Sequence, residues 1–228
     1  MTARPGAGRT PAPEAEVLPE LEFSVLGAGV ERHAAVPTLR FDLQVEAGDT
    51  SIQSLSLNVL VRIVATRREY DSTEQERLFE LFGAPRDWGR SLRTLTWSRA
   101  SFVVPSFEGV ERTDLCVPCS YDFDVAATKY LHALGDGSIP LEFLFSGSVF
   151  YRGPGGALRT VRLSWEKECR YDLPVRAWRE TMDTYFPNSA WLRVRNDVFD
   201  RLRAFRSAQG LPTWEATLEA LLPEADES

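Results

Sequence analysis

The feature that most constrains this chain is an alternation of apolar and polar residues over 54–63. Leu55, Leu57, Val59, Val61 and Ile63 fall on one side, with Ser54, Ser56, Asn58 and Arg62 on the other. Side chains alternate between faces only in an extended strand, so a period of two prescribes a half-buried β-strand. A one-residue slip would turn all five apolar side chains to water at about 2 kcal/mol each, which pins the register. The alternation recurs at Leu21, Phe23 and Val25. It recurs again at Leu39, Phe41, Leu43 and Val45, opposite Arg40, Asp42, Gln44 and Glu46. Turn signals around Gly27 and Gly29, and at Ala47-Gly48-Asp49, separate the segments as in antiparallel sheets.

The period then changes. Ser72 can cap a helix whose third position is Gln75, with Leu78, Phe79, Leu81 and Phe82 as its apolar stripe and Gly83 as its stop. Strands resume at 92–104, 110–117 and 121–125, and 126–134 reads as a short helix or a strand continuation. A hairpin follows, 141–151 and 158–171, joined by Gly153-Pro154-Gly155-Gly156. Pro174 opens a helix to about 185, Pro187-Asn188-Ser189 breaks it, and 191–195 reads as a short strand. A helix at 197–209 closes at Gly210, and Thr213 caps a last helix to 222. The expected fold is mainly β with α (α+β). An antiparallel β-sandwich or barrel-like domain at 21–172 carries an inserted helix near 73–83. A helical C-terminal segment at 173–223 follows, as helix, short strand, helix, helix. Residues 1–20, with four prolines, read as a disordered tail, and 224–228 as a second tail.

Charge and composition exclude several functions. Twenty-six basic residues against 33 acidic ones leave a net charge of −7, a field that repels phosphate and argues against nucleic acid. All the basic residues but Lys129 and Lys167 are Arg, as a high-GC genome would produce. Only His33 and His132 are histidines, so a site built on several imidazoles is impossible. No apolar core follows the early Arg residues, and no apolar run of about 20 residues occurs anywhere. The expectation is therefore neither a secretory signal nor a membrane span. Three cysteines then point to free thiols in a reducing cytoplasm.

Few residues offer chemistry. Cys116-Val-Pro-Cys119 has dithiol spacing, and a metal site there would need His132 and Cys169 as further ligands. On a strand the two thiols face opposite ways unless Pro118 kinks the chain, so incidental cysteines are the simpler reading. Ser146 and Ser148 lack a nucleophile-elbow context, and the 153–156 glycines make a turn and not a phosphate loop. Asp122 and Asp124 can share one strand face, as solvated charges or as a cation site. Trp88 and Trp97 flank Arg90 and Arg93, the composition of an interface hot spot. It is equally that of a core edge with Arg stems lying over it. The stretch from Trp191 to Trp214 resembles the ribbon–helix–helix module of small bacterial repressors, which would make Arg193 and Arg195 groove readers. Its acidic end, with Glu215, Glu219, Glu224, Asp226 and Glu227, departs from that pattern. Leu192, Val194, Phe199, Leu202 and Phe205 would equally serve to pack a helical hairpin onto the sandwich.

Taken together, AAVPTLRF at 34–41, REYDSTEQERLFELFG at 68–83, VPCSYDFDVAATKYLHAL at 117–134, FSGSVFYR at 145–152, WLRVRNDVFDRLRAF at 191–205 and LPTWEATLEALL at 211–222 resemble an uncharacterised family of high-GC Gram-positive bacteria. It carries a domain-of-unknown-function label. The resemblance implies no activity, cofactor, metal or catalytic residue, since none is defined for the family. It does imply a setting, because the family's genes accompany those of uptake nickel–iron hydrogenases and their maturation proteins. The resulting expectation is a non-catalytic, cytoplasmic accessory or assembly protein that binds a hydrogenase subunit or maturation protein, with Trp88, Arg90, Arg93 and Trp97 as interaction surface. The alternatives are a small-molecule-binding β domain with its pocket between the sheets or at a barrel mouth, a DNA-binding regulator through 191–222, and a thiol- or metal-dependent protein through Cys116 and Cys119. A homo-oligomer is left open.

Overall fold

The computed structural model describes residues 19–119, 125–164, 166–189 and 193–222. Among these, eight antiparallel strands form two sheets. One sheet has the order β1 (Glu22–Val30), β2 (Thr38–Glu46), β5 (Val110–Pro118). In the other, β4 (Leu95–Val104), β3 (Ile52–Ile63) and β6 (Ser138–Arg152) lie side by side. The free edge of β6 then takes β7 (Leu158–Arg162) at one end and β8 (Glu168–Pro174) at the other.

The apolar set of each alternating run faces inward. Leu39, Phe41, Leu43 and Val45 on β2, and Leu55, Leu57, Val59, Val61 and Ile63 on β3, are all buried. Rings interlock across the gap: Phe23 stacks on Phe145 at 4.1 Å, and Phe41 meets Phe143 edge-on at 5.2 Å. The α+β reading with a helical C-terminal part therefore holds, and the β part is a two-sheet sandwich.

Several boundaries differ from expectation. Gly27 and Gly29 do not turn the chain. β1 runs through them with a bulge between Val25 and Gly27, and the turn lies at residues 31–37. The expected strand at 158–171 is interrupted opposite Phe145–Gly147, where the Leu163 amide donates to the Gly147 carbonyl and the Phe145 amide to that of Lys167. Gly147 of β6 lies opposite this break. Its φ is +152°, and a Cβ there would lie 1.9 Å from the Ser56 carbonyl oxygen, so β3 and β6 approach more closely than any side chain permits. The segment at 126–134 is a helix, α4 (Ala126–Ala133). Tyr121 to Asp124, expected as strand, lie outside the described residues, as do Trp165 and Trp191.

Between β3 and β4 the chain makes three short helices, α1 (Ser72–Arg77), α2 (Phe79–Phe82) and α3 (Trp88–Ser91). The cap sits one residue earlier than expected: Asp71, not Ser72, accepts the Glu74 amide at 2.8 Å. Glu74, in the first turn of α1, is buried. Gly83 ends α2 at φ +72°, as its sequence position implied.

Contacts divide the chain between Ser189 and Ala190 into two compact units. The helix α5 (Val175–Tyr185) therefore belongs with the sandwich and not with the C-terminal segment where the sequence placed it. Val175, Trp178 and Met182 are buried, and the Tyr185 hydroxyl donates to the Glu31 carbonyl. The C-terminal unit holds α6 (Asn196–Gln209), closed by Gly210 in the left-handed region, and α7 (Trp214–Glu219), capped by the Thr213 hydroxyl. Residues 193–195 are not strand. No helix of the described residues is long and apolar enough to cross a membrane.

Candidate functional site

The richest constellation lies where the helical insertion meets α4. Tyr70, just before α1, donates its hydroxyl proton to the Ala65 carbonyl at 2.7 Å. The Tyr130 hydroxyl on α4 lies 2.8 Å away and so donates to Tyr70. Both are ordinary tyrosines held neutral: burial pushes Tyr70 up to about 12 and Tyr130 higher still. Trp88 closes the group, edge-on to Tyr70 at 5.3 Å and to Phe82 at 6.2 Å, its indole N–H on the Gly83 carbonyl at 3.0 Å.

Beside this cluster is a buried ion pair. Glu74 is 3% exposed, and its Oε1 accepts from Arg68 Nη2 at 2.5 Å and from the Gly135 amide at 2.7 Å. Arg68 also donates to the Asp136 and Ser138 carbonyls, each at 2.6 Å. One guanidinium and one carboxylate thus tie the insertion to the turn between α4 and β6. On the outside, Lys129 of α4 pairs with Glu80 of α2. The sequence pattern singled out neither Arg68 nor Glu74.

On this base the insertion displays its outer residues. Phe79, expected in the apolar stripe, is 61% exposed, whereas Leu78 and Phe82 are buried. Arg90 and Arg93 are exposed, and among the described residues neither has an ion-pair partner. Residues 84–99 hold Arg86, Arg90, Arg93 and Arg99 against Asp87 alone, a local excess of three positive charges in a chain of net −7. Trp97 belongs elsewhere. It lies on β4, its ring 6.4 Å from Phe41 of the opposite sheet. The four expected surface residues therefore separate into Trp88 and Trp97, half-buried against different core rings, and Arg90 and Arg93 in solvent.

The other candidates are dispersed. Cys116 points outward on β5 opposite Arg40, while Cys119 is buried beyond the strand end. Burial pushes the Cys119 thiol up to about 12, and Cys116 is raised by partial burial and by the carboxylates of Glu31 and Asp114. Neither is an activated thiolate. His132 lies edge-on to Trp178 at 4.6 Å, its pKa lowered by burial and by Arg179, and Cys169 lies opposite Phe143 on β8. Among the described residues no three His, Cys, Asp or Glu side chains converge as a metal site would require. Asp122 and Asp124 fall outside the described residues. Arg195 is engaged with Asp197 at 2.9 Å. An open cleft of about 490 Å3 lies on the surface of α5, lined by Asp136, Arg176, Arg179, Glu180, Asp183 and Thr184.

Comparison with known proteins adds the following. A family of unknown function (DUF6084) matches residues 18–228. No functionally curated protein matches the chain in sequence. Among solved structures, a protein assigned as late embryogenesis abundant (LEA) is 16% identical over 69% of this chain and 73% of its own, with a TM-score of 0.30. β-Glucosidase 3B from Thermotoga neapolitana is 11% identical over 68% of this chain and 17% of its own, with a TM-score of 0.25. The sporulation control protein Spo0M from Bacillus subtilis is 12% identical over 68% of this chain and 48% of its own, with a TM-score of 0.23. Likenesses this distant carry no functional argument.

Proposed function

Given that the chain belongs to this family of unknown function, we propose that it is a non-catalytic accessory or assembly protein that binds another protein through the helical insertion. One observation carries the reading: Arg90 and Arg93, without an ion-pair partner among the described residues, and the exposed Phe79 all belong to an insertion braced by buried rings and an ion pair. Arg and large aromatics supply most interface energy, and a braced surface loses little entropy on binding. The excess of positive charge over 84–99 favours an acidic partner surface. The partner we propose is a nickel–iron hydrogenase subunit or maturation protein in the cytoplasm, the setting that the family resemblance implies.

The test is co-purification of the full chain with hydrogenase subunits and maturation proteins, followed by titration calorimetry on any complex formed. Arg90→Glu/Arg93→Glu lowers affinity by about 100-fold while leaving the unfolding midpoint unchanged. Absence of a complex with any of these proteins at about 50 μM refutes the hydrogenase partner. A complex indifferent to the double substitution refutes the surface.

A further inference from the structure

We infer that the free edge of β5 is a dimer interface, pairing antiparallel with β5 of a second copy of this chain across a two-fold axis. β5 is nine residues long and ends its sheet, bonded to β2 alone among the described strands. The Ala47 amide donates to the Gly109 carbonyl and the Cys119 amide to that of Pro37, in both cases between directly opposite residues. Opposite residues exchange such bonds only at every second position of an antiparallel ladder. The odd-numbered residues of β5 therefore turn their main-chain groups to β2. Val110, Arg112, Asp114 and Cys116 turn theirs outward, and none of them has a further backbone partner among the described residues. Their side chains are exposed on the outer face of the sheet. The edge is also continuous: its register with β2 has no bulge, and no proline precedes Pro118. Bulges and prolines are what ordinarily disarm a long edge.

The charges select the occupant and the register. Outward residues must face outward residues, and like charges directly opposite each other destabilise a ladder. A two-fold axis at Arg112 sets that arginine against its own copy, and an axis at Asp114 does the same to the aspartate. An axis at Leu115 offers Arg112 only Pro118, which has no N–H. An axis at Thr113 sets Arg112 against the partner's Asp114, twice over, with Val110 against the partner's Cys116 at either end. That is the self-complementarity a closed dimer requires. Both charges are available for it. Arg112 gives its Nε to the neutral Gln44 Oε1 at 3.1 Å and meets no carboxylate among the described residues. Asp114 lies 3.8 Å from an Arg40 that it shares with Asp42 at 3.6 Å and Glu31 at 4.0 Å. Three carboxylates thus face one guanidinium, an excess that the partner's Arg112 offsets. The same pairing covers Val110, which is 53% exposed.

Sedimentation velocity on the full chain from about 1 to 100 μM tests this, and the expected result is a dimer of the 25.7 kDa chain. Arg112→Asp and Asp114→Arg each weaken it by at least about tenfold with unchanged far-ultraviolet circular dichroism, since both side chains are exposed. The swapped pair Arg112→Asp/Asp114→Arg restores it. Val110→Cys reads the register. It brings a thiol to about 5.5 Å, Cα to Cα, from the partner's Cys116, within disulfide reach, but leaves it about 20 Å along the strand from its own. Diamide, which takes up the two electrons and two protons, then cross-links Val110→Cys between chains and does not cross-link Val110→Cys/Cys116→Ser. A monomer throughout the range overturns the inference. So does a dimer indifferent to the single reversals, a swapped pair no tighter than either of them, or a dimer of Val110→Cys that forms no disulfide between chains.

Discussion

Replacing Glu74 with Ala removes the acceptor of two hydrogen bonds from a site only 3% exposed. Arg68, whose side chain is 11% exposed, loses its counter-charge but keeps the Asp136 and Ser138 carbonyls. Breaking a buried pair costs about 3–5 kcal/mol, and two retained carbonyl contacts place this case near 3. The unsatisfied Gly135 amide adds about 1 kcal/mol, giving about 4 kcal/mol in all. For a chain of this length that is a fall in Tm of about 12 °C. Glu74→Gln keeps an acceptor and costs about half as much. The paired replacement Arg68→Met/Glu74→Leu leaves no charge stranded and costs less than Glu74→Ala alone. Urea unfolding with a common m-value measures all three. The reasoning is refuted by a Glu74→Ala cost below about 1 kcal/mol, or by a double variant as costly as the sum of its single substitutions.

Two further outcomes follow from the core. Gly147→Ala places a Cβ 1.9 Å from the Ser56 oxygen at a φ of +152°, so it destabilises by at least about 3 kcal/mol. Gly155→Ala, at φ +73° with open space around it, costs about 1 kcal/mol, and equal costs at the two positions would contradict the close approach. Cys119 and Cys169 are pushed from 9.0 up to about 12, so the unfolded chain loses these protons first as pH rises. The associated stability is complete below pH 9 and is lost between pH 9 and about 12. Urea midpoints across that window should fall, and less steeply in Cys119→Ala. A curve identical to that of the unsubstituted chain would show that Cys119 is not shielded.

The sandwich was legible because strand alternation reports burial directly: each inward residue of β2 and β3 named from the pattern is buried. Gly83, Gly210 and Thr213 were legible for a similar reason, since left-handed stops and hydroxyl caps are local. The clamp was not. Arg68 and Glu74 are six residues apart, but their partners at 135–138 come from beyond β5 and α4, and no local pattern carries that distance. The break in the 158–171 strand was hidden likewise, since it shows only in how β7 and β8 pair with different ends of β6. Trp88 and Trp97 were read as one surface because they are close in sequence. The turn from α3 into β4 sends their rings to separate parts of the core.

That separation bears on how the insertion can work. A connection of some thirty residues between two strands, if loose, would pay about 1 kcal/mol or more for each side chain it immobilised on a partner. On the proposed protein-binding reading, much of that ordering would already be supplied by the Arg68–Glu74 pair, the Tyr70–Tyr130 bond and the Trp88 indole on Gly83. On that reading, binding and local stability are linked through the clamp. Glu74→Ala, which alters no exposed residue, weakens the partner affinity at temperatures where the sandwich remains folded, and Arg90→Glu/Arg93→Glu weakens it without changing stability. Observing both separates a braced surface from one that orders only on contact. In the latter, Glu74→Ala would leave affinity unchanged, because the ordering cost would be paid at binding in either protein.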